Sequence, residues 1–500
     1  MKVLGLKISR VSLIAGLYLV AATAPRIASF LLLPVYAFIL PPEQLVAYGV
    51  AVSMASLIGI LSDAGILSGI GITYWAQPEE DRASYLKSTV LLSRLVSIAI
   101  LVPVGLLLAH FWDPLFGSGM RRSEGLWLVL AFAFLQRGNN LAGAIYRNRR
   151  HHREFALTRI LPAAVQVVAG GLFVFVLHWG ALGAVAAAPL GFLVSIVVVG
   201  LRRSPEEPAR FKMLTANQAV RIISRGAPIL PEQLARWAQM LSLRPLMSVF
   251  ASARETASFT FSTAPAQLVS PFSEAYEQYI SPRYYESSAN HDYETIALLR
   301  QISSMFLAIG SIGTILAIVI FDPVFRVLAP RPYEGAAGLA AIGLAGMVLR
   351  GPMALLVHNL RVEDRRLGLI GTVVVGSLVS YVQFFVLVRS FESWSAAWSV
   401  YLYPAAACAV ALLVLRDKNL RLVSARALVT TGTVVLTVLL TMVVLHARTP
   451  DGRPIEHFWL LGLVGLAGGA VIAHQVIRPH LATTVAVVRN GLPTPRAAGE

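Results

Sequence analysis

The residues of this chain able to do chemistry are charged and amide side chains set inside long apolar runs. Arg26 follows Pro25 within one run, Asp63 stands in a second, and Arg137 precedes Asn139 and Asn140 in another. Glu232 and Arg236 lie four residues apart with Gln233 between them, and Gln239 follows on the same stretch. An ionisable group inside a segment of hydrocarbon length is expensive, so by default it marks a functional site or its structural counter-charge. The chemistry open to these types is binding. A guanidinium presents a planar fork that matches phosphate oxygens in pairs, and an amide offers donors and an acceptor to hydroxyl-rich ligands.

Each of these residues has two readings. Pro25 removes a backbone donor and kinks a helix, so Arg26 is either a cation aimed at a ligand from the bend or a structural group on the carbonyls freed there. Asp63 lies at a depth similar to Arg26; it reads as that arginine's ion-pair partner on the adjacent helix, or as a cation or proton site. Arg137, Asn139 and Asn140 form a polar face that must meet protein or water, since lipid satisfies none of it; the face holds sugar or joins helices. Glu232 and Arg236 share a helix face in the favourable acid-first order. They neutralise each other, or open so that Arg236 takes a phosphate. Arg350, Arg94 and Arg159 fall near the ends of their runs and are expected to snorkel to the interface. Arg244 precedes Pro245 near the far end, and Glu274 lies where a gate residue would.

The elements that must position these groups are membrane helices. Of 500 residues 56% are hydrophobic and only 14% charged, and the mean hydropathy is +0.68, whereas a soluble chain carries about a quarter charged residues. A spanning helix needs about 20 apolar residues. That ruler gives about fourteen spans: 11–40, 49–75, 86–110, 126–146, 157–178, 181–200, 226–250, 257–280, 300–321, 336–357, 367–388, 398–415, 427–446 and 458–477. The first is read as one long broken helix kept in the mature protein rather than a signal peptide cut after Ala22-Thr23-Ala24.

The net charge of +16 does not point to nucleic acid, because the basic residues cluster in short loops between spans. Loops holding Arg147, Arg149, Arg150 and Arg153, or Arg361, Arg365 and Arg366, alternate with loops holding far fewer, an asymmetry of roughly threefold that sets orientation. With an even span count both termini face the cytoplasm. The Pro- and charge-rich stretch 201–225 reads as a linker, giving an N-terminal six-helix lobe over 1–200, a C-terminal six-helix lobe over 226–415, a two-helix hairpin over 416–478 and a cytoplasmic tail over 479–500. Leu33-Pro34-Val35-Tyr36 and Leu230-Pro231-Glu232-Gln233 correspond weakly between the two lobes, as in transporters built from repeats.

Four stretches carry a family resemblance: 26–49 (RIASFLLLPVYAFILPPEQLVAYG), 57–75 (LIGILSDAGILSGIGITYW), 139–153 (NNLAGAIYRNRRHHR) and 226–284, from Gly226 through Pro231 to the segment around Glu274. In order and spacing they resemble the Wzx-type flippases of the multidrug/oligosaccharidyl-lipid/polysaccharide exporter superfamily. The isolated Glu43 makes the first outer turn less acidic than that pattern. The resemblance implies an all-α integral membrane fold of two six-helix lobes around a central cavity plus the hairpin, in a bacterial inner membrane. It implies export of a polyprenyl-diphosphate-linked oligosaccharide from the cytoplasmic to the periplasmic leaflet. The expected substrate ligands are then Arg26, Arg137 and Arg236 for the diphosphate, and Asn139, Asn140 and Gln233 for sugar. Asp63, Glu232 and Glu274 are the expected coupling or gating groups. The expected partners are the lipid-linked oligosaccharide, membrane lipids and polysaccharide-assembly proteins.

A multidrug exporter of the same superfamily needs acids where this chain leans to arginine. A polymerase, ligase or glycosyltransferase needs acids or a folded outer loop, and the longest here, near 111–125 and 322–335, are short. No G-x-x-x-x-G-K-[ST] stretch occurs, so no nucleotide loop is expected. Cys408 is the sole cysteine, and His151-His152 does not make a metal set by itself. No cofactor is expected, and the sequence leaves the coupling ion, H+ or Na+, open.

Overall fold

Pro41 and Pro42 close the first apolar run and open the next. Proline is tolerated in the first helical turn, where its missing N–H has no partner to lose. The first helix, α1 (Arg10–Ile39), contains Pro25 and Pro34, and α2 (Pro42–Asp63) starts directly after it. The computed structural model describes residues 2–3, 6–7, 10–67, 70, 74, 78, 81–149, 151–201, 216–227, 230–328, 333, 336–363, 365–415, 421–448 and 455–481. Most of the linker, the tail from 482 on, and the side chains of Glu232, Arg236, Gln239 and Glu274 lie outside the described residues.

The second expected span, 49–75, is displaced. The helix begins at Pro42 and stops at Asp63, because Ala64 and Gly65 both take positive φ, 47° and 79°. The Asp63 carboxylate then accepts the Leu67 amide at 3.1 Å, which satisfies a donor beyond the helix end. After it come α3 (Arg82–His110), the short α4 (Trp112–Phe116), α5 (Arg122–Asn148), α6 (His152–Gly171) and α7 (Gly180–Leu201).

The seventh expected span, 226–250, is not one helix. It is broken into α8 (Ala216–Gly226), α9 (Leu230–Met240) and α10 (Leu243–Phe250). Pro231 and Pro245 each sit in the first turn of a new piece, where a preceding helix cannot run through them. Part of the stretch read as linker is therefore helical. Ile222 of α8 is fully buried in a cluster with Ile66, Ile70, Leu86, Leu141 and Ile145. The remaining helices are α11 (Ala253–Ala289), α12 (Tyr293–Leu328), α13 (Ala336–Val362), α14 (Arg366–Val414), α15 (Ala425–Arg448) and α16 (Ile455–Ile472). The stretch α14 is two helices meeting at Glu392, whose φ of 34° and ψ of −111° are not helical; the two spans expected there, 367–388 and 398–415, fall on either side.

The all-helical, multi-pass expectation holds apart from a two-residue strand pair, Lys2–Val3 with Leu6–Lys7. Among the described residues nine helices are long and apolar enough to cross a membrane by length and composition, with α14 as one of them. The polar α5 and α11 and the broken α8–α10 are not among them, so the count of fourteen is not reached on that measure. Large apolar side chains project outward on the spans, as on Leu106, Val168 and Leu413, where they suit hydrocarbon.

The chain divides into two compact units, residues 1–260 and 261–500. In the first, α2 is the central helix and packs on α3, α5, α7, α9 and α10. In the second, α13 is central, with Gly338 under Trp394 and Gly346 against the Val400 carbonyl; α15 and α16 pack on each other and on α12. Asn359 of α13, fully buried, donates to the Tyr284 hydroxyl at 2.5 Å and accepts the Leu422 amide at 3.1 Å. It thereby ties α11 to the segment that leads into α15. Asn359→Leu removes both of these hydrogen bonds from a buried joint, at about 1–3 kcal/mol each. The expected result is a clear drop in the thermal unfolding midpoint of the purified protein in detergent.

Candidate anion-binding site

The polar face of α5 does not act as one surface. Its polar residues meet different neighbours, Arg137 on α2 and α3, Asn139 on α6 and α7, and Asn140 on α6, because successive helical positions are about 100° apart. Arg137 turns to α2 and α3. Its Nη2 lies 3.6 Å from an Asp63 carboxylate oxygen, and its Nη1 donates to the Ser93 carbonyl and the Ser97 hydroxyl. Arg137 is only 7% exposed. The expected ion pair thus exists with a different cation: Asp63 is joined to Arg137, not to Arg26. The α2 terminus delivers Asp63 toward α5, and helix rotation decides the pairing.

Asn139 turns to the opposite side. Its Nδ2 donates to the Thr158 carbonyl of α6 at 2.7 Å, and its Oδ1 accepts the Ser195 hydroxyl of α7 at 2.8 Å. With 1% of its surface exposed, it joins three helices and presents no amide edge to a sugar in this conformation.

Asn140 also meets α6, one residue further along it. Its Oδ1 accepts Nη1 of Arg159, on the second turn of α6, at 2.9 Å. Gly143, one turn along α5, leaves room for that guanidinium: a methyl there would come within 3.9 Å of it and within 3.0 Å of the Thr158 hydroxyl. Arg147 follows one further turn along the same face, and Arg147 and Arg26 are the charged neighbours of Arg159. Arg26 reaches this place because α1 packs along α6, with Tyr36 placing its hydroxyl on Gly170. Arg26 and Arg159 precede that contact by ten and eleven residues, one level in two parallel helices. Guanidiniums from α1 and α5 therefore neighbour Arg159 of α6, which Asn140 holds. Forked donors brought together from separate helices suit the several oxygens of a phosphate group.

Sequence reasoning had assigned Arg159 to snorkelling and Arg147 to a solvated loop. The available signal was the spacing of Asn140, Gly143 and Arg147, which puts an amide, a gap and a cation on one stripe. Gln233 lies on α9, one turn before Trp237, whose indole donates to the Ser53 carbonyl at 2.9 Å; α9 is thereby held against α2. Arg244 is buried beside Tyr48, Arg350 lies against Met347 Sδ at 3.9 Å, and Arg94 is exposed.

This helical arrangement is the fold of the multidrug/oligosaccharidyl-lipid/polysaccharide transporters. It matches the lipid II flippase MurJ in an inward closed conformation with a TM-score of 0.67 and 12% identity, over 92% of this chain and 99% of that one. An inward-facing multidrug-resistance transporter of the MATE family matches at 0.59 with 17% identity, over 79% of this chain and 92% of that one. A superfamily transporter from Pyrococcus furiosus, described as having a binding pocket of reversed polarity that suggests a different function, matches at 0.55 with 16% identity, over 80% and 93%. A comparison with curated protein sequences finds no match. The family model described as polysaccharide biosynthesis protein matches residues 15–309, and the chain belongs to that family. It is a multi-pass membrane protein with a transporter's fold rather than an enzyme's.

Proposed function

We propose that the protein exports a polyprenyl-diphosphate-linked oligosaccharide from the cytoplasmic to the periplasmic leaflet of a bacterial inner membrane, by alternating access, for surface or exopolysaccharide synthesis. The observation that carries the reading is that Arg26 and Arg147 are the charged neighbours of Arg159, which Asn140 holds. The three supply what a diphosphate needs: several forked donors on separate helices, with one of them oriented by an amide. Membership of a polysaccharide biosynthesis family and the fold shared with a lipid II flippase support the substrate class.

In this scheme Arg26, Arg147 and Arg159 take the diphosphate and Asn140 holds Arg159 in place. Gln233 and Arg236, on α9, are added from the sequence pattern as contacts to the sugar and the phosphate, with Glu232 as the counter-charge that Arg236 leaves on binding and Glu274 as a gate. Arg137, Asp63 and Asn139 support the helices that carry the site. Both termini face the cytoplasm, the prenyl tail stays in lipid, and polysaccharide-assembly proteins take over the product.

The test is a gene deletion read by leaflet. Lipid-linked oligosaccharide accumulates on the cytoplasmic face, where a membrane-impermeant oxidant reaches its sugar in inside-out vesicles but not in spheroplasts. Two results overturn the reading. One is no accumulation. The other is sensitivity to cationic drugs with surface polysaccharide intact, which would make the protein a cation exporter. Finished glycan left on its carrier at the periplasmic face would indicate a ligase.

A further inference from the structure

A second binding feature lies at the end of α5 remote from the arginine group. A cavity of about 570 Å³ opens between α5 and α7, within the size range of small-molecule sites. Its α5 wall is Glu124, Trp127, Leu128 and Ala131, and its α7 side is Trp179, Leu182 and Ala186. The spacing on α5 is one helical stripe running about 10 Å along the axis. The two alanines narrow the side chains at the inner end. The two tryptophans stand at the outer end and are left 72% and 52% exposed, as rings at the headgroup level of a bilayer are. The cavity is therefore an apolar slot lying along the membrane normal, open to the lipid.

Its mouth is charged in a particular pattern. Arg121, Arg122 and Glu124 are all exposed, and among the described residues none of the three is in an ion pair. Glu124 lies on the slot itself, Arg122 is in the same first turn of α5, and Arg121 is the extended cap residue just before it. An apolar chain in the slot thus emerges beside one carboxylate with two guanidiniums on the turn above.

We infer that this slot binds a zwitterionic aminophospholipid: an acyl chain between Trp127 and Trp179, the phosphate on Arg121 and Arg122, and the primary ammonium on Glu124. A helix-end acid that only favours the positive N-terminal dipole needs no slot below it. A tryptophan that only marks the interface needs no cavity between itself and a second one. An anionic lipid meets the arginines but is repelled by Glu124, so the mixed signs at the mouth select a headgroup carrying both.

The site is tested on the full-length protein in nanodiscs of defined composition, by native mass spectrometry of retained lipid and by the thermal midpoint. With phosphatidylethanolamine and phosphatidylglycerol present in equal amounts, the protein is expected to retain phosphatidylethanolamine at least fivefold over phosphatidylglycerol. Glu124→Gln, a change at an exposed position, is expected to abolish that preference while total bound lipid stays constant. Ala131→Leu with Ala186→Leu fills the slot, and is expected to remove the retained lipid and its increment in midpoint. Equal retention of the two lipids by the unaltered protein overturns the inference, as does an unchanged preference in Glu124→Gln. Phosphatidylcholine retained as well as phosphatidylethanolamine also overturns it, since the ammonium would then be recognised by the aromatic rings alone. None of these readings depends on whether the protein exports sugar.

Discussion

Replacing Arg26 and Arg159 together with alanine lowers transport of the lipid-linked sugar by about two orders of magnitude at normal protein abundance. A hydrogen bond to a charged partner contributes about 1.5–3 kcal/mol, and each 1.4 kcal/mol is a factor of ten in affinity. Two lost guanidiniums remove at least two such bonds, and Arg147 retains part of the charge. Arg159→Lys separates charge from geometry. A lysine keeps the positive charge but not the planar fork, and cannot place a second donor on Asn140 while facing a diphosphate. It is expected to lie between the unaltered protein and the double variant, with roughly tenfold loss on the same scale. The measurement is the rate at which the sugar becomes accessible on the far side of vesicles, over a range of substrate densities. An effect that vanishes at high substrate density marks lost binding, and full transport by the double variant removes the arginine group from the mechanism.

The second large effect concerns stability. Arg137→Ala alone, or Asp63→Ala alone, is expected to destabilise the first unit by about 3–5 kcal/mol, because one charge is left without its mate in a low-dielectric interior. The protein should fall in membrane abundance and in thermal midpoint. The paired substitution Asp63→Leu with Arg137→Met removes both charges and recovers most of the loss, since well-packed apolar side chains replace a buried ion pair at little cost. Recovery of transport along with stability identifies the pair as a structural joint. Recovery of stability without transport assigns Asp63 to coupling, the other reading its position allowed.

How far the sequence exposes this molecule depends on the scale of the question. Apolar run length places twelve of the fourteen expected stretches on helices, because twenty apolar residues leave the backbone few alternatives in lipid; the helix expected over 49–75 stops at Asp63, and 226–250 breaks into pieces. It places ends less well. Asp63 ends α2 because two successive residues, Ala64 and Gly65, adopt positive φ, and an Ala-Gly pair inside an apolar run does not announce that. Partnerships are least accessible. The sequence puts Asp63 and Arg26 at similar expected depth, yet Asp63 joins Arg137, since the choice depends on how each helix is turned about its axis. The same cause sends Arg137 to α2 and α3 but Asn139 and Asn140 to α6, and brings Arg159, an unremarkable end-of-span arginine, to the centre of the candidate site.

The arrangement of α9 and α10 carries a consequence for biogenesis. Both pack on α2, and α9 bonds to Ser53 through Trp237, while the Ser53 hydroxyl donates to the Leu241 carbonyl. The first unit extends to Thr260. A nascent chain halted at residue 200 would hold six long helices and still lack these partners for α2. At ~5–20 residues per second, translation needs about 3–12 s to supply the missing sixty. For that interval a helix destined to be central waits in the bilayer with one flank unmated, open to insertion factors and membrane proteases.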